Sequence, residues 1–167
     1  MFSPNEDRET WDRILTLDRS SIGEICGLWF HVEKKVARLQ AALKNPAERA
    51  AALRLLLFFQ DDEQRKAVFS ELVELAAWGH SDIGLCRTAI KSIPLDWVRT
   101  NIIPAISSVL KSLGDQPEVE EEAYQRFAEL LSELDQTLLL KHLKTAVVHG
   151  NEGVREIGHT FNGEPNP

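Results

Sequence analysis

The sequence predicts an all-α protein, a short α-solenoid of stacked helical hairpins with a long N-terminal helix, and three observations carry that prediction. Apolar residues recur at steps of three and four along most of the chain. The nine glycines and seven prolines fall mostly between the periodic segments, and no window shows the apolar alternation of hairpin strands. Several apolar positions also return at a fixed offset of 34 residues, which is the mark of a repeated supersecondary unit.

Taken in order, Ser3-Pro4-Asn5-Glu6 is a capping box with proline at the first helical position, and it opens a helix with the stripe Trp11, Ile14 and Leu15. Ser21 to Glu24 repeats the box spacing and opens the longest predicted helix. Ile22, Ile25, Trp29, Val32, Val36, Leu39 and Leu43 form one seam down it. That seam either packs inside the domain or joins two copies of the chain as a homodimer. Asn45-Pro46 caps a third helix that is apolar on every side from Ala50 to Leu53 and from Leu55 to Phe59, as a central helix would be. Asp61 and Asp62 start a fourth with Val68, Phe69, Leu72, Val73, Leu75 and Ala76 inward, ended by Gly79. Ser81 caps a fifth carrying Leu85, Cys86, Ala89, Ile90 and Ile93. Pro94 begins a sixth with a kink expected at Pro104, and Gly114 closes it. Pro117 opens a seventh, Asp135 caps an eighth ended by Gly150, and Asn151 caps a short ninth containing Val154, Ile157 and Phe161.

The 34-residue offset joins Leu72, Ile106 and Leu140, then Leu75, Val109 and Leu143, on the first helix of each pair. On the second helix it joins Ala89, Ala123 and Ile157, then Ile93, Phe127 and Phe161. A single hairpin cannot bury its apolar face, so neighbours stack and share one core. Residues 1–161 read as one domain, with N-terminal helices over 1–45, a repeat region over 46–161 and a flexible tail over 162–167.

The segments Asp82-Ile83-Gly84-Leu85-Cys86-Arg87-Thr88-Ala89 and Asn151-Glu152-Gly153-Val154-Arg155-Glu156-Ile157 place an acidic or amide residue at the turn, then a small apolar residue and arginine on the second helix. In this the chain resembles the HEAT-like helical repeat proteins over residues 46–161, with Glu121 standing where the other pairs have Arg87 and Arg155. The resemblance implies a scaffold that binds a protein partner, and it brings no catalytic residue.

Charge and composition narrow the function. The 167 residues carry 26 acidic against 19 basic side chains, net −7, which opposes nonspecific binding to nucleic acid. The nearest approach to a basic cluster is Lys34, Lys35, Arg38 and Lys44. The cysteines, Cys26 and Cys86, fall at apolar helical positions and suit the reducing cytosol, and the first residues carry no signal peptide, so a cytoplasmic protein is expected. No apolar run approaches the roughly 18 residues of a membrane span. No phosphate loop, nucleophile elbow or Cys-x-x-Cys is present, no two histidines have metal-ligand spacing on one helix, and neither metal nor cofactor is expected.

The residues singled out for partner binding are Arg87, Lys91, Arg155, Trp97, Asp61, Asp62, Glu118 and Glu121. Arg87 and Arg155 either meet an acidic group or tie down their own turns through Asp82, Glu152 or Glu156. The run Asp115, Glu118, Glu120, Glu121 and Glu122 either favours the positive end of its helix or docks a basic surface. Trp97 and Trp78 are either core anchors or interface anchors. The function expected is therefore a protein–protein interaction module with a basic partner, an acidic inhibitor of the immunity or antitoxin type or an adaptor. The alternative is a ligand-binding or enzymatic domain whose pocket between helices gathers His142, His149 and Glu152 in space.

Overall fold

The structure, a computed structural model, describes residues 4–16, 22–114 and 116–162, and among them holds eleven helices and no strand. In chain order these are α1 (Pro4–Thr16), α2 (Ile22–His31), α3 (Lys35–Lys44), α4 (Pro46–Phe59), α5 (Asp62–Ala67), α6 (Phe69–Ala76), α7 (Ile83–Lys91), α8 (Leu95–Ser112), α9 (Pro117–Leu134), α10 (Gln136–Ala146) and α11 (Glu152–Asn162). The Ser3 and Ser21 capping boxes, Asp115 and the predicted tail beyond Asn162 lie outside the described residues.

Most other predicted starts are built by the cap named for them, because a side-chain oxygen satisfies backbone N–H groups that the first turn leaves without a partner. Asn45 accepts from Ala47 at 3.1 Å, Asp61 from Glu63 and Gln64 at 3.0 and 3.1 Å, Asp135 from Thr137 at 2.7 Å, and Asn151 from Gly153 at 2.9 Å. Gly114 closes α8 with φ +67, the left-handed conformation that glycine adopts without strain. The fifth predicted helix starts differently: Asp82, not Ser81, is the residue before α7, and it makes no side-chain cap. Pro104 lies inside α8, which stays continuous around it.

Nine predicted helices become eleven because two of them break. The long helix predicted over 22–43 is interrupted after His31, where Lys34 turns left-handed at φ 49. Asp7 of α1 holds that break by accepting the Glu33 N–H at 2.9 Å and the Arg38 guanidinium at 2.9 Å. The helix predicted from Asp61 to Gly79 breaks at Val68, with φ −107 and ψ 15. Near the break, buried Arg65 bonds the Gln60 carbonyl at 2.9 Å and Ser92 Oγ at 2.7 Å, fastening α5 to the end of α7.

From α3 onward the helices pair in sequence order: α3 on α4, α6 on α7, α8 on α9 and α10 on α11. Between pairs, α3 touches α6, α6 touches α8 and α8 touches α10, while α4 touches α7 and α9 touches α11. α9 also packs broadly on α10, and α1 and α2 pack together against this assembly, α1 reaching α4. There Trp11 Nε1 donates to Glu48 at 2.6 Å, and the rings of Trp11, Trp29 and Phe59 follow one another at 6.2 and 6.1 Å.

One apolar cluster runs from Trp11 to Leu143, and a smaller one around Tyr124, Ala146 and Val154 seats α11. The predicted seam turns inward: Trp29, Val32, Leu39 and Leu43 are all buried within the chain. α4 is less enclosed than its composition suggests, since Phe58 is 46% exposed. One 34-residue column fails at its third member. Leu72 and Ile106 are buried but Leu140 is 44% exposed, because α10 turns Leu138, Leu139, His142, Leu143 and Ala146 inward and leaves Leu140 about 130° from the centre of that face.

Candidate functional site

The residues named for partner binding separate into those tied inside the chain and those left on the surface. Arg87 projects from α7 toward α9, where its Nη2 donates to Glu129 at 2.6 Å and to the Arg126 carbonyl at 3.3 Å. Lys91 reaches Glu133 at 2.6 Å, so two cations of α7 are spent on two carboxylates of α9. Burial opposes the Glu129 charge, yet Arg87 and Arg126 outweigh it and hold the carboxyl below its usual range. Arg87 therefore makes no bond to Asp82. Arg155 does tie its own turn, but through the His149 and Gly150 carbonyls at 2.8 and 3.0 Å instead of Glu152 or Glu156. Asp61 is a helix cap and Asp62 pairs with Arg65. Half-buried Trp97 meets Phe69 edge to face at 4.9 Å, and half-buried Trp78 also packs against the core.

Glu118 and Glu121 have a different setting. They face, with Glu122 and Glu156, a groove of about 520 Å³ between α9 and α11 whose apolar lining is Ile157 and Phe161. Arg126 is its one cation and lies 3.7 Å from Glu122, which also accepts the Gly79 N–H at 3.1 Å. α11 comes close to α9 here. A Cβ placed on Gly153 would sit 2.2 Å from the Glu121 carboxyl carbon, so the absent side chain at that position is what makes room for the carboxylate.

A second concavity, of about 320 Å³, opens between α8, α9 and α10. His142 and His149 do meet there, as the alternative reading required, but their partners are Tyr124 and Glu120; exposed Glu152 is not among the lining residues. The Tyr124 ring stacks on His142 at 5.0 Å and lies 5.2 Å from His149. His142, 4% exposed, donates from Nε2 to the Tyr124 carbonyl at 3.2 Å, which leaves its Nδ1 as an acceptor, and burial lowers its pKa. His149 accepts the Asn151 N–H at Nδ1, so its proton sits on Nε2, 3.4 Å from Glu120. Sequence spacing puts the two histidines two helical turns apart and gave no sign of Tyr124, which arrives from another helix.

Among the described residues no group of His, Cys, Asp and Glu could hold a metal ion, and no helix is long and apolar enough to cross a membrane. No family model matches this chain, and no curated protein or solved structure matches it.

Proposed function

We propose that the protein is a binding module for a basic protein partner, an acidic inhibitor or adaptor rather than an enzyme, built as a short solenoid of hairpins similar to HEAT-like repeats. The observation that carries this reading is the separation of charge. Arg38, Arg65, Arg87, Lys91 and Arg99 are each paired with a carboxylate of the same chain, whereas Glu118, Glu121 and Glu156 line one groove beside apolar side chains, joined there by Glu122 with its partner Arg126. Such a surface speeds encounter with a positive partner through its field and gains affinity by burying its apolar residues.

The solenoid reading is supported by the way first helices touch first helices from one pair to the next and second helices touch between α4 and α7 and between α9 and α11, with α7 meeting α9 through the Arg87 and Lys91 ion pairs. It is supported as well by a recurring turn. His80 Nδ1 accepts the Asp82 N–H at 3.1 Å before α7, as His149 Nδ1 accepts the Asn151 N–H at 3.2 Å before α11.

The test is isolation of the tagged protein from the cells that make it, at low and high salt, alongside Glu118→Lys/Glu156→Lys. A stoichiometric basic protein held by the native chain, released by salt and lost by the variant, is the expected result. Equal recovery on both chains, or no stoichiometric protein on either, would overturn the reading.

A further inference from the structure

The cleft between α8, α9 and α10 lies apart from the acidic groove, and the interaction reading makes no use of it. Its chemistry is of the opposite kind. In a chain of net charge −7, two ammonium groups, Lys111 of α8 and Lys141 of α10, stand at this cleft, where Glu120 of α9 is the one carboxylate among the described residues. Neither lysine takes part in an ion pair among the described residues. Between them, α8 supplies an apolar wall that includes Ile103 and Leu110.

Ser107 donates its hydroxyl proton to the Ile103 carbonyl at 2.9 Å and so keeps its lone pairs free, whereas Thr145, which donates to the His142 carbonyl at 2.7 Å, is also hydrogen-bonded to the Tyr124 hydroxyl. His142, whose Nε2 proton is committed to the Tyr124 carbonyl, lines the cleft as a neutral group. The site thus combines cationic donors from two helices, one anion, and an apolar wall. Glu120 lies 3.4 Å from His149 Nε2 and accepts from Asn151 Nδ2 at 3.5 Å; a simple anion would still face its carboxylate charge, and a simple cation would meet two lysines. A molecule bearing a carboxylate, an ammonium and an apolar side chain satisfies all three.

We propose that this cleft binds a free α-amino acid with an apolar side chain. Its carboxylate sits toward Lys111 and Lys141, its ammonium toward Glu120, and its side chain against the wall of α8. The volume of about 320 Å³ is at the small end of ligand pockets and suits a ligand of this size.

The experiment is a titration of the full chain with L-leucine and L-phenylalanine, followed by the NMR signals of Thr145 and the His142 and His149 rings. Leucinamide and 4-methylpentanoate, which are leucine without the carboxylate and without the ammonium respectively, serve as comparison probes. Saturable shifts at these residues with at least one amino acid at millimolar concentration are expected, weakened about tenfold or more for both comparison probes and in Lys141→Ala and Glu120→Gln. No saturable shift with either amino acid overturns the proposal. Equal binding of leucine, leucinamide and 4-methylpentanoate also overturns it, since the cleft would then be an apolar crevice without selectivity. That comparison uses the native chain and stands even if a variant folds poorly.

Discussion

Cys26 and Cys86 both occupy apolar positions of helices, yet they are chemically unlike. Cys86 is fully buried, its Sγ–H donates to the Leu72 carbonyl at 3.0 Å, and burial pushes its thiol up to about 12, so thiolate is scarce at neutral pH. Cys26 is partly accessible. Alkylation of the native protein near neutral pH is expected to modify Cys26 alone, and both after unfolding in urea; modification of Cys86 in the folded chain would contradict the burial. His142 makes a second statement about single residues. Burial lowers its pKa from the ordinary 6.5, so the unfolded chain binds this proton more readily than the folded one. Stability is therefore fully present above about pH 6.5 and is lost as pH falls through the folded value. The urea midpoint should drop between about pH 7 and 5, and His142→Gln should remove that part of the slope. A third contrast is between two leucines of α10. Leu143→Ala should cost about 2–5 kcal/mol and Leu140→Ala under about 0.5 kcal/mol in urea denaturation, because Leu143 is 1% exposed and Leu140 is 44% exposed. The 34-residue spacing made these two residues equivalent, since both lie on apolar columns; the rotation of α10 about its own axis, which spacing does not encode, separates them.

Helices were legible wherever a side chain near in sequence decided their ends. Asn45, Asp61, Asp135, Asn151 and Gly114 act within one turn of their own positions, so their signals were complete in the sequence. The two breaks were not legible, because each is held from a distance. No glycine or proline interrupts residues 61–77, and the interruption at Val68 accompanies an Arg65 side chain anchored at Ser92. The interruption before α3 depends on Asp7, 26 residues from Glu33. Glycines inside helices give the same lesson and a test. Gly84 of α7 has open space where a Cβ would go, whereas a Cβ on Gly158 of α11 would meet Val147 Cγ1 at 2.8 Å and the Val147 backbone nitrogen at 3.0 Å. Helix propensity alone favours alanine at both sites by up to about 1 kcal/mol. Gly84→Ala should raise the melting temperature, and Gly158→Ala should lower it by forcing α11 off α10. Equal gains at both positions would contradict the close approach of these two helices.

At the level of the whole molecule, the all-helical class followed from periodicity, and the net charge was visible in composition. How that charge is distributed was not. The formal excess of acid is compatible with an evenly mixed surface, and only the fold pairs Arg87 and Lys91 with Glu129 and Glu133 while gathering Glu118, Glu121, Glu122 and Glu156 along one groove. The same holds for the cleft, where Tyr124 and the two histidines come from α9, α10 and the turn before α11. Both concavities border α9, the acidic groove lined by Glu118, Glu121 and Glu122 and the cleft by Glu120 and Tyr124, so one helix divides sites of opposite chemistry.

The most direct measurement for the interaction reading is zero-length carbodiimide cross-linking of the partner-bound protein, which condenses a carboxylate with a lysine amine in contact with it. Peptide mass spectrometry is expected to join Glu118 or Glu156 to lysines of the partner. Cross-links confined to carboxylates far from the groove, such as Glu63 or Glu74, would contradict the assignment of the α9–α11 groove as the docking surface.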